Sequence, residues 1–446
     1  MSDKPKDPEP SKVQQLERGG QIRGRWPWVE PTVWNERMLE ALETGVRGGK
    51  WHSLMDKVYR PANLRAAWER VKRNRGSSGI DKVSIEYFEV GLDRRLESLA
   101  EQLGEGTYRP QPVRRTYIPK PGSTERRPLG IPTVADRIVQ TALRNVIEPI
   151  FEKMFEPTSY GFRPKRRTYQ AVREVDRLLR AGYVWVVDVD IRKYFDSIPP
   201  KRLMAQIAEQ IADGGVLGLV EAYLHQSVLD GMTLWAPGLG TPQGAVISPL
   251  LANLYLHPVD VALRQAGYEM VRYADDMVIL CRTREEAEAA LVLLRELLDE
   301  RELVLHPTKT RIANLYERPG FQFLGYVFYS DYRDPRESSQ HKIRTKVREL
   351  TKLTSGNSLT DIVKGLNAVL RGWMAYFQFC SKNSQAWSNI DGYVRFRLRA
   401  ILDKRRKGGR TKRRGRGYAN NRWTNRYFAR LGLFSLHGAP KLVLQP

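Results

Sequence analysis

The sequence is poor in cysteine: of its 446 residues only Cys281 and Cys380 are thiols. Two thiols cannot build the common four-ligand thiolate zinc site, and they do not make a disulfide framework, so a reducing cytosol is the expected compartment. Long apolar runs are missing as well. None approaches the ~18 residues of a membrane span, and the opening MSDKPKDPEP lacks the apolar core of a secretory signal. No internal repeat is evident. Acidic residues are scarce at one end. Residues 341–446 carry 24 Lys and Arg against 4 Asp and Glu, a net +20, whereas the preceding residues carry 50 against 46. A nearly neutral body thus has a cationic end, which concentrates polyanions and above all nucleic acid. Trp, Tyr and Phe are interleaved through that end, unlike a merely solubilising tail.

What is present is globular: 41% apolar and 28% charged residues, enough for two or three packed units. Residues 1–25 are polar and read as disordered or loosely attached. Helical patterning begins near Val33, recurs over Asn63–Arg73, and predicts a helix over Ser84–Leu103. Residues 114–120 and Arg127–Ile131 predict a cationic β-hairpin. A helix follows from Val134, with Ile138, Leu143, Val146 and Ile147 near one face. Tyr183–Ile191 is crowded with β-branched residues and predicts a buried strand that ends in Asp188 and Asp190. Helices are expected at Lys201–Ala212, Leu217–Gln226 and Ser248–Ala266, the last after a turn-rich stretch at 231–244. Two β-prone runs, Met270–Ala274 and Met277–Leu280, flank Asp275-Asp276 and predict a hairpin. Arg284–Glu300 is amphipathic; Leu303–Leu305 and Phe321–Tyr329 read as strands. The polar stretch 330–340 predicts a domain boundary, and beyond it the pattern is helical. In Leu359–Phe379, the residues Ile362, Leu366, Leu370, Trp373 and Tyr376 recur at helical spacing and read as core. The fold class is therefore α+β, followed by a basic helical unit.

Two-metal phosphoryl transfer needs carboxylates that converge from different strands on two cations roughly 3.5–4 Å apart. Asp190 and the pair Asp275-Asp276 would meet this need if their strands were neighbours, which spacing leaves open. Taken singly, Asp190 is more often a strand end or helix cap, and Asp275-Asp276 more often an ordinary turn.

The motifs around these acids carry a resemblance. YADD within VRYADDMVIL resembles the YxDD hairpin of reverse transcriptases. In the family's order, IPKPGSTERRPLGIPTVADR (118–137) resembles the fingers hairpin and its helix, and SYGFRP (159–164) a segment of bacterial group II intron enzymes. VDVDIRKYFDSI (187–198) and GTPQGAVISPLLANLYL (240–256) are similar to motifs A and B. LVLHPTKTRI (303–312) and FQFLGYVF (321–328) are similar to motifs D and E. LNAVLRGWMAYF (366–377) and YVRFRLRAIL (393–402) resemble the maturase, or thumb, domain of group II intron proteins. The resemblance covers the chain from about residue 50 to its end. It implies a right-hand polymerase: an N-terminal tail at 1–45, fingers and palm at 46–335, and a helical thumb/maturase domain at 336–446.

The resemblance also implies roles. Asp190, spaced from Phe195 as the family's motif requires, is the expected first metal ligand, with Asp188 a helper. Asp275 is the expected second ligand and Asp276 a weaker one. Two Mg²⁺ ions are expected, with Mn²⁺ able to substitute. Phe195 corresponds to the steric gate beside the sugar. Lys120 and Arg127 correspond to triphosphate contacts, with Arg126 a competitor for that role. Gln243 corresponds to the residue lining the incoming nucleotide, and Lys309 to the proton donor to pyrophosphate. Lys404, Arg405, Arg406, Lys407, Lys412, Arg413 and Arg414 are the expected nucleic-acid contacts. The implied partners are group II intron RNA, template RNA, primer or target DNA and dNTPs, with no membrane. No His-Asn cluster or paired Cys spacing follows the helical unit, so an endonuclease-lacking type is expected. A reverse transcriptase recruited to host defence or DNA repair, and a non-catalytic RNA-binding splicing cofactor, are the alternatives.

Overall fold

The computed structural model describes residues 22–119, 126–231, 233–235, 240, 244–330, 332–354, 356–381, 384–406 and 421–438. The first layers are helical. The helix Val134–Glu152 is capped by Thr133, whose side chain accepts from the Asp136 N–H, and is buried on nearly every face. It is the axle of the first core. The helices Pro61–Asn74 and Leu92–Gly104 supply Leu64, Trp68, Leu96 and Leu99 to that core. Trp34 joins it fully buried, its indole donating to the Asn145 carbonyl at 2.9 Å. The helix expected over 84–103 is two: Ile85–Glu89, capped by Ser84, and Leu92–Gly104. Gly91 at φ +72° separates them, a conformation that L side chains rarely adopt and that breaks the α ladder.

Eleven strands form three sheets among the described residues. β1 (Val113–Pro119) and β2 (Arg126–Ile131) are the expected cationic hairpin, with Ile118 opposite Arg127. β3 is Trp185–Asp190. Two short strands, β4 (Val228–Asp230) just before the turn-rich stretch and β5 (Thr233–Trp235) within it, extend the first sheet as β2-β1-β4-β5. The central sheet has the order β6-β7-β3-β8, where β6 is Glu269–Tyr273, β7 Asp276–Cys281 and β8 Arg311–Asn314. All its pairings are antiparallel.

Period-two alternation explains why this sheet is buried on both faces. Val187, Val189, Ile279 and Cys281 enter the first core with the helices Ser248–Gln265 and Arg284–Asp299. Val186, Val278 and Leu280 enter a second core with the helix Thr168–Arg180 and the C-terminal helices. The two faces thus tie the sheet to opposite halves of the molecule.

Two strand expectations are corrected. Leu303–Leu305 is not a strand: only Leu305 makes an isolated bridge, to Ile191. Glu302 at φ +57° and the following Pro307 interrupt extended pairing, and the real edge strand is β8. The stretch 321–329 is not one strand but a hairpin, β9 (Phe321–Phe323) and β10 (Tyr326–Phe328). Leu324 and Gly325, at φ +49° and +85°, supply the left-handed pair of a tight two-residue turn.

The polar stretch 330–340 is a packed join. It contains β11 (Arg333–Pro335), paired with β10, and the start of the helix Glu337–Leu350. The helices Leu359–Tyr376, Gln385–Arg406 and Asn425–Arg430 follow. Ile343, Leu366, Leu370, Ile390 and Leu398 share the second core with the sheet. Ile362, Leu366 and Leu370 are buried as expected, but Tyr376 at the helix end is 42% exposed. Among the described residues no helix is long and apolar enough to cross a membrane.

Candidate active site

β3 and β7 are hydrogen-bonded neighbours, in register from Trp185 opposite Cys281 to Asp190 opposite Asp276. β6 and β7 turn through Ala274-Asp275, with Ala274 at φ +60°. Asp190 and Asp275, which lie far apart in sequence, therefore meet at one end of adjacent strands. Asp275 is exposed at the turn. Its carboxyl is held above the usual range, first by desolvation among its neighbours and further by the repulsion of Asp190, while the Arg127 guanidinium opposes the shift. The fingers hairpin thus projects a cation toward the palm turn. Two mutually repelling carboxylates, offering only hard oxygen donors, fit a divalent cation that would relieve the repulsion. Among the described residues no group of three or more His, Cys, Asp or Glu converges as a metal cluster.

The other acids are placed differently. Burial pushes Asp276 up to about 7; Asp188 and Asp275 add to this, and the Leu324 N–H and Arg336 oppose it. Burial also raises Asp188 to about 6, against the pull of Arg311, whose guanidinium lies 3.6 Å away. Lys309 does not stand free: its Nζ lies 3.2 Å from Asp190 Oδ2. The loop carrying it is clasped to Asp190, whose carbonyl accepts from the His306 N–H at 2.7 Å and from Thr310 Oγ1 at 3.2 Å.

Beneath the turn lies a network that the sequence reading missed. Arg272 and Asp260 form an ion pair with both side chains fully buried. Arg272 Nη1 also donates to Asn253 Oδ1 at 2.9 Å and to the Ala274 carbonyl at 3.0 Å, so the guanidinium braces the turn itself. Asn253 in turn donates to the Gly161 carbonyl at 2.6 Å. The segment 159–164 runs along this strand: the Arg272 N–H donates to the Thr158 carbonyl, and the Tyr160 N–H to the Arg272 carbonyl. A Cβ on Gly161 would lie 2.1 Å from the Ala274 nitrogen, so only glycine permits this approach. One signal was available in the sequence. An arginine inside a strand, with an aspartate inside an apolar helix, points to a buried pair.

Phe195 is half-buried, with ring centroids 5.5 Å from Tyr194 and 6.5 Å from Phe162. Phe162 is 46% exposed at φ +59° and was also unforeseen. Gly240 seats against this segment: its N–H donates to the Ile198 carbonyl, and a Cβ there would lie 2.8 Å from the Phe195 carbonyl oxygen. Gln140 braces the residues after Gly244, accepting from the Val246 N–H at 2.7 Å. Arg126 and Arg127 are exposed on β2. Lys120 and Gln243 lie outside the described residues.

The hairpin β9–β10 joins this site to the C-terminal helices. Tyr376 Oη donates to the Leu324 carbonyl at 2.9 Å, and Tyr326 Oη donates to the Tyr376 carbonyl. Lys404, Arg405 and Arg406 form the last turn of the helix Gln385–Arg406, and Arg405 donates to the Asn357 carbonyl at 2.5 Å. Lys407, Lys412, Arg413 and Arg414 lie outside the described residues.

Comparison with known proteins agrees with the order of these segments. Residues 118–328 match the family described as reverse transcriptase (RNA-dependent DNA polymerase), and residues 340–419 the group II intron maturase-specific domain. The chain is 35% identical to the group II intron-encoded protein LtrA of Lactococcus lactis subsp. cremoris, over 50% of this chain and 37% of that protein. The match thus spans little more than a third of that relative's length. Protein YkfC of Escherichia coli (strain K12) is 32% identical over 62% of this chain and 83% of its own. A solved partial Cas6-RT-Cas1–Cas2 complex aligns with 56% of this chain and 42% of its own, at 27% identity and a TM-score of 0.37. Reverse transcriptases as a family act with divalent metal ions. With both domain models matched in order and a relative covered over most of its length, the chain belongs to the reverse transcriptases of the group II intron-encoded kind.

Proposed function

We propose that this protein is an RNA-directed DNA polymerase that also binds a group II intron RNA, assisting its splicing and its insertion by target-primed reverse transcription. The observation that carries the reading is the meeting of Asp190, at the end of β3, with Asp275, in the turn before the neighbouring β7, with Arg127 of the fingers facing Asp275. Asp190 and Asp275 are the proposed ligands of two Mg²⁺ ions, with Asp276 weaker and Mn²⁺ able to substitute. Bound there, the cations would activate the primer 3′-hydroxyl and neutralise charge on the attacked phosphate. The chain's own residues do the rest. Arg127, with Lys120, binds the triphosphate; Gln243 lines the base; Phe195 crowds the sugar. Lys309 supplies a proton to pyrophosphate, for which it must leave Asp190. The basic residues from Lys404 to Arg414 hold nucleic acid. The proposed division is fingers and palm to 335 and thumb beyond, with the segment before residue 46 counted with the fingers because Trp34, Leu39 and Leu42 lie in the first core. A bacterial cytoplasm is the proposed location.

The test is primer extension on an RNA template with dNTPs and Mg²⁺. Asp275→Ala is expected to lower the rate at least roughly a thousandfold, the scale of removing a group that stabilises transition-state charge. Wild-type extension by Asp275→Ala would refute the catalytic assignment. In a splicing assay the same variant is expected to retain activity, because folding an RNA requires binding rather than nucleotide transfer.

A further inference from the structure

The C-terminal unit holds a cavity that the polymerase chemistry does not use. It measures about 520 Å³ and lies between the helices Gln385–Arg406 and Asn425–Arg430 and the segment 433–437. A second cavity of about 370 Å³ adjoins it and shares Arg395 and Asn425. The lining is divided. Leu433 and Phe434 are half-buried and supply apolar surface, with Arg371 over the Phe434 ring at 5.4 Å; Val394 and Phe428 are buried, and Arg395, Arg426 and Asn425 supply polar surface.

The charge here is one-sided. Arg395 and Arg399 stand one helical turn apart, an arrangement that like charges disfavour. Arg399 is already committed, donating to the Trp423 carbonyl and to Asn425 Oδ1, both at 2.9 Å. Asp391 is the one carboxylate lining the larger cavity, and it is 3% exposed. Its oxygens accept from Ser435 Oγ at 2.5 Å, the Leu436 N–H at 3.0 Å and the His437 N–H at 3.2 Å; Arg395 is only a 3.9 Å neighbour. Arg426 is exposed, with no ion pair among the described residues. Positive charge is therefore left over at the edge of an apolar hollow.

A simple anion would account for the cations but not for the apolar lining, and an apolar ligand for the lining but not the cations. A nucleotide has both parts, and the volume falls within the ~300–1,000 Å³ usual for small-ligand sites. Unpaired RNA is commonly held in this way, with a splayed base stacked on an aromatic ring and its phosphate on arginine. We propose that this cavity takes one unpaired nucleotide of an RNA strand, its base against Phe434 and its phosphate on Arg395 and Arg426. The proposal rests on the RNA-binding part of the function above and gives it a site apart from the cleft between fingers and palm.

The experiment is equilibrium binding, without dNTPs, of the full chain to a labelled RNA stem–loop and to a blunt RNA duplex of the same strand length. Phe434→Ala is expected to weaken stem–loop binding by roughly fivefold to a hundredfold, the loss of one stacked base, and to affect the duplex little. Arg426→Gln should weaken stem–loop binding and lower its salt slope by about one. Ala429→Trp, which fills the cavity from an exposed helical position, should reproduce the selective loss even if Phe434→Ala fails to fold, as judged by thermal melting. Wild-type stem–loop affinity in folded Phe434→Ala or Ala429→Trp, or equal loss for stem–loop and duplex, would overturn the proposal. So would free UMP or AMP binding as tightly as the stem–loop, or a DNA stem–loop showing the same affinity and the same sensitivity. The readout needs no nucleotide transfer, so it stands or falls separately from the Asp275→Ala result.

Discussion

The β6–β7 hairpin of the palm and the β1–β2 hairpin of the fingers share a topology but not an environment. Val271, Met277, Val278 and Ile279 are fully buried, and the palm turn is braced from below by Arg272. On the fingers, Tyr117 and Ile118 are 45% and 49% exposed, and Arg127 sits on an open strand end. On the function proposed above, the difference follows from what each would hold. Carboxylates that share cations must sit within a few tenths of an ångström of a fixed geometry, and buried bonds provide that. A guanidinium that neutralises phosphate need only reach it, so an exposed strand end suffices.

Three substitutions would break or sharpen this contrast. Arg272→Ala should have the largest effect. It leaves Asp260 as an uncompensated buried charge, an expected loss of about 3–5 kcal/mol of stability, together with loss of primer extension; denaturant unfolding and extension assays measure both. Retention of wild-type stability would mean that the palm turn is not held by this pair. Gly161→Ala should cost about 1–3 kcal/mol, as overpacking does, because the new methyl would collide with the Ala274 backbone. Extension should fall more than thermal stability, since the displaced backbone carries Asp275. Arg127→Ala should leave unfolding unchanged and raise the KM for dNTP by roughly tenfold to a hundredfold, the worth of a hydrogen bond to a charged group. A change in unfolding with KM intact would make the fingers hairpin a structural element like its counterpart.

Much of this was legible in the chain. The strand ending in Asp188 and Asp190 announced itself through β-branched residues, and the YADD turn through the two apolar runs that flank it. The short strands β4 and β5 were not legible, because three-residue strands carry too little periodicity to stand out from turn chemistry. The edge strand β8 was missed for a related reason: its residues Arg311–Asn314 are half-buried and mixed in polarity, and they pair only because β3 offers them a free edge. The role of the segment 159–164 was invisible too. Gly161 is needed only because a backbone more than a hundred residues later passes against it.

The sequence by itself determined the long, strongly patterned elements, the charge asymmetry and the acids, since these depend on local periodicity and residue type. Only the tertiary structure decided that Asp190 and Asp275 are neighbours, that Arg272 braces the turn carrying Asp275, that Lys309 rests on Asp190, and that a divided cavity opens in the basic end. Each of these is a meeting of segments distant along the chain, and such meetings are fixed by which faces bury together rather than by any single stretch of residues.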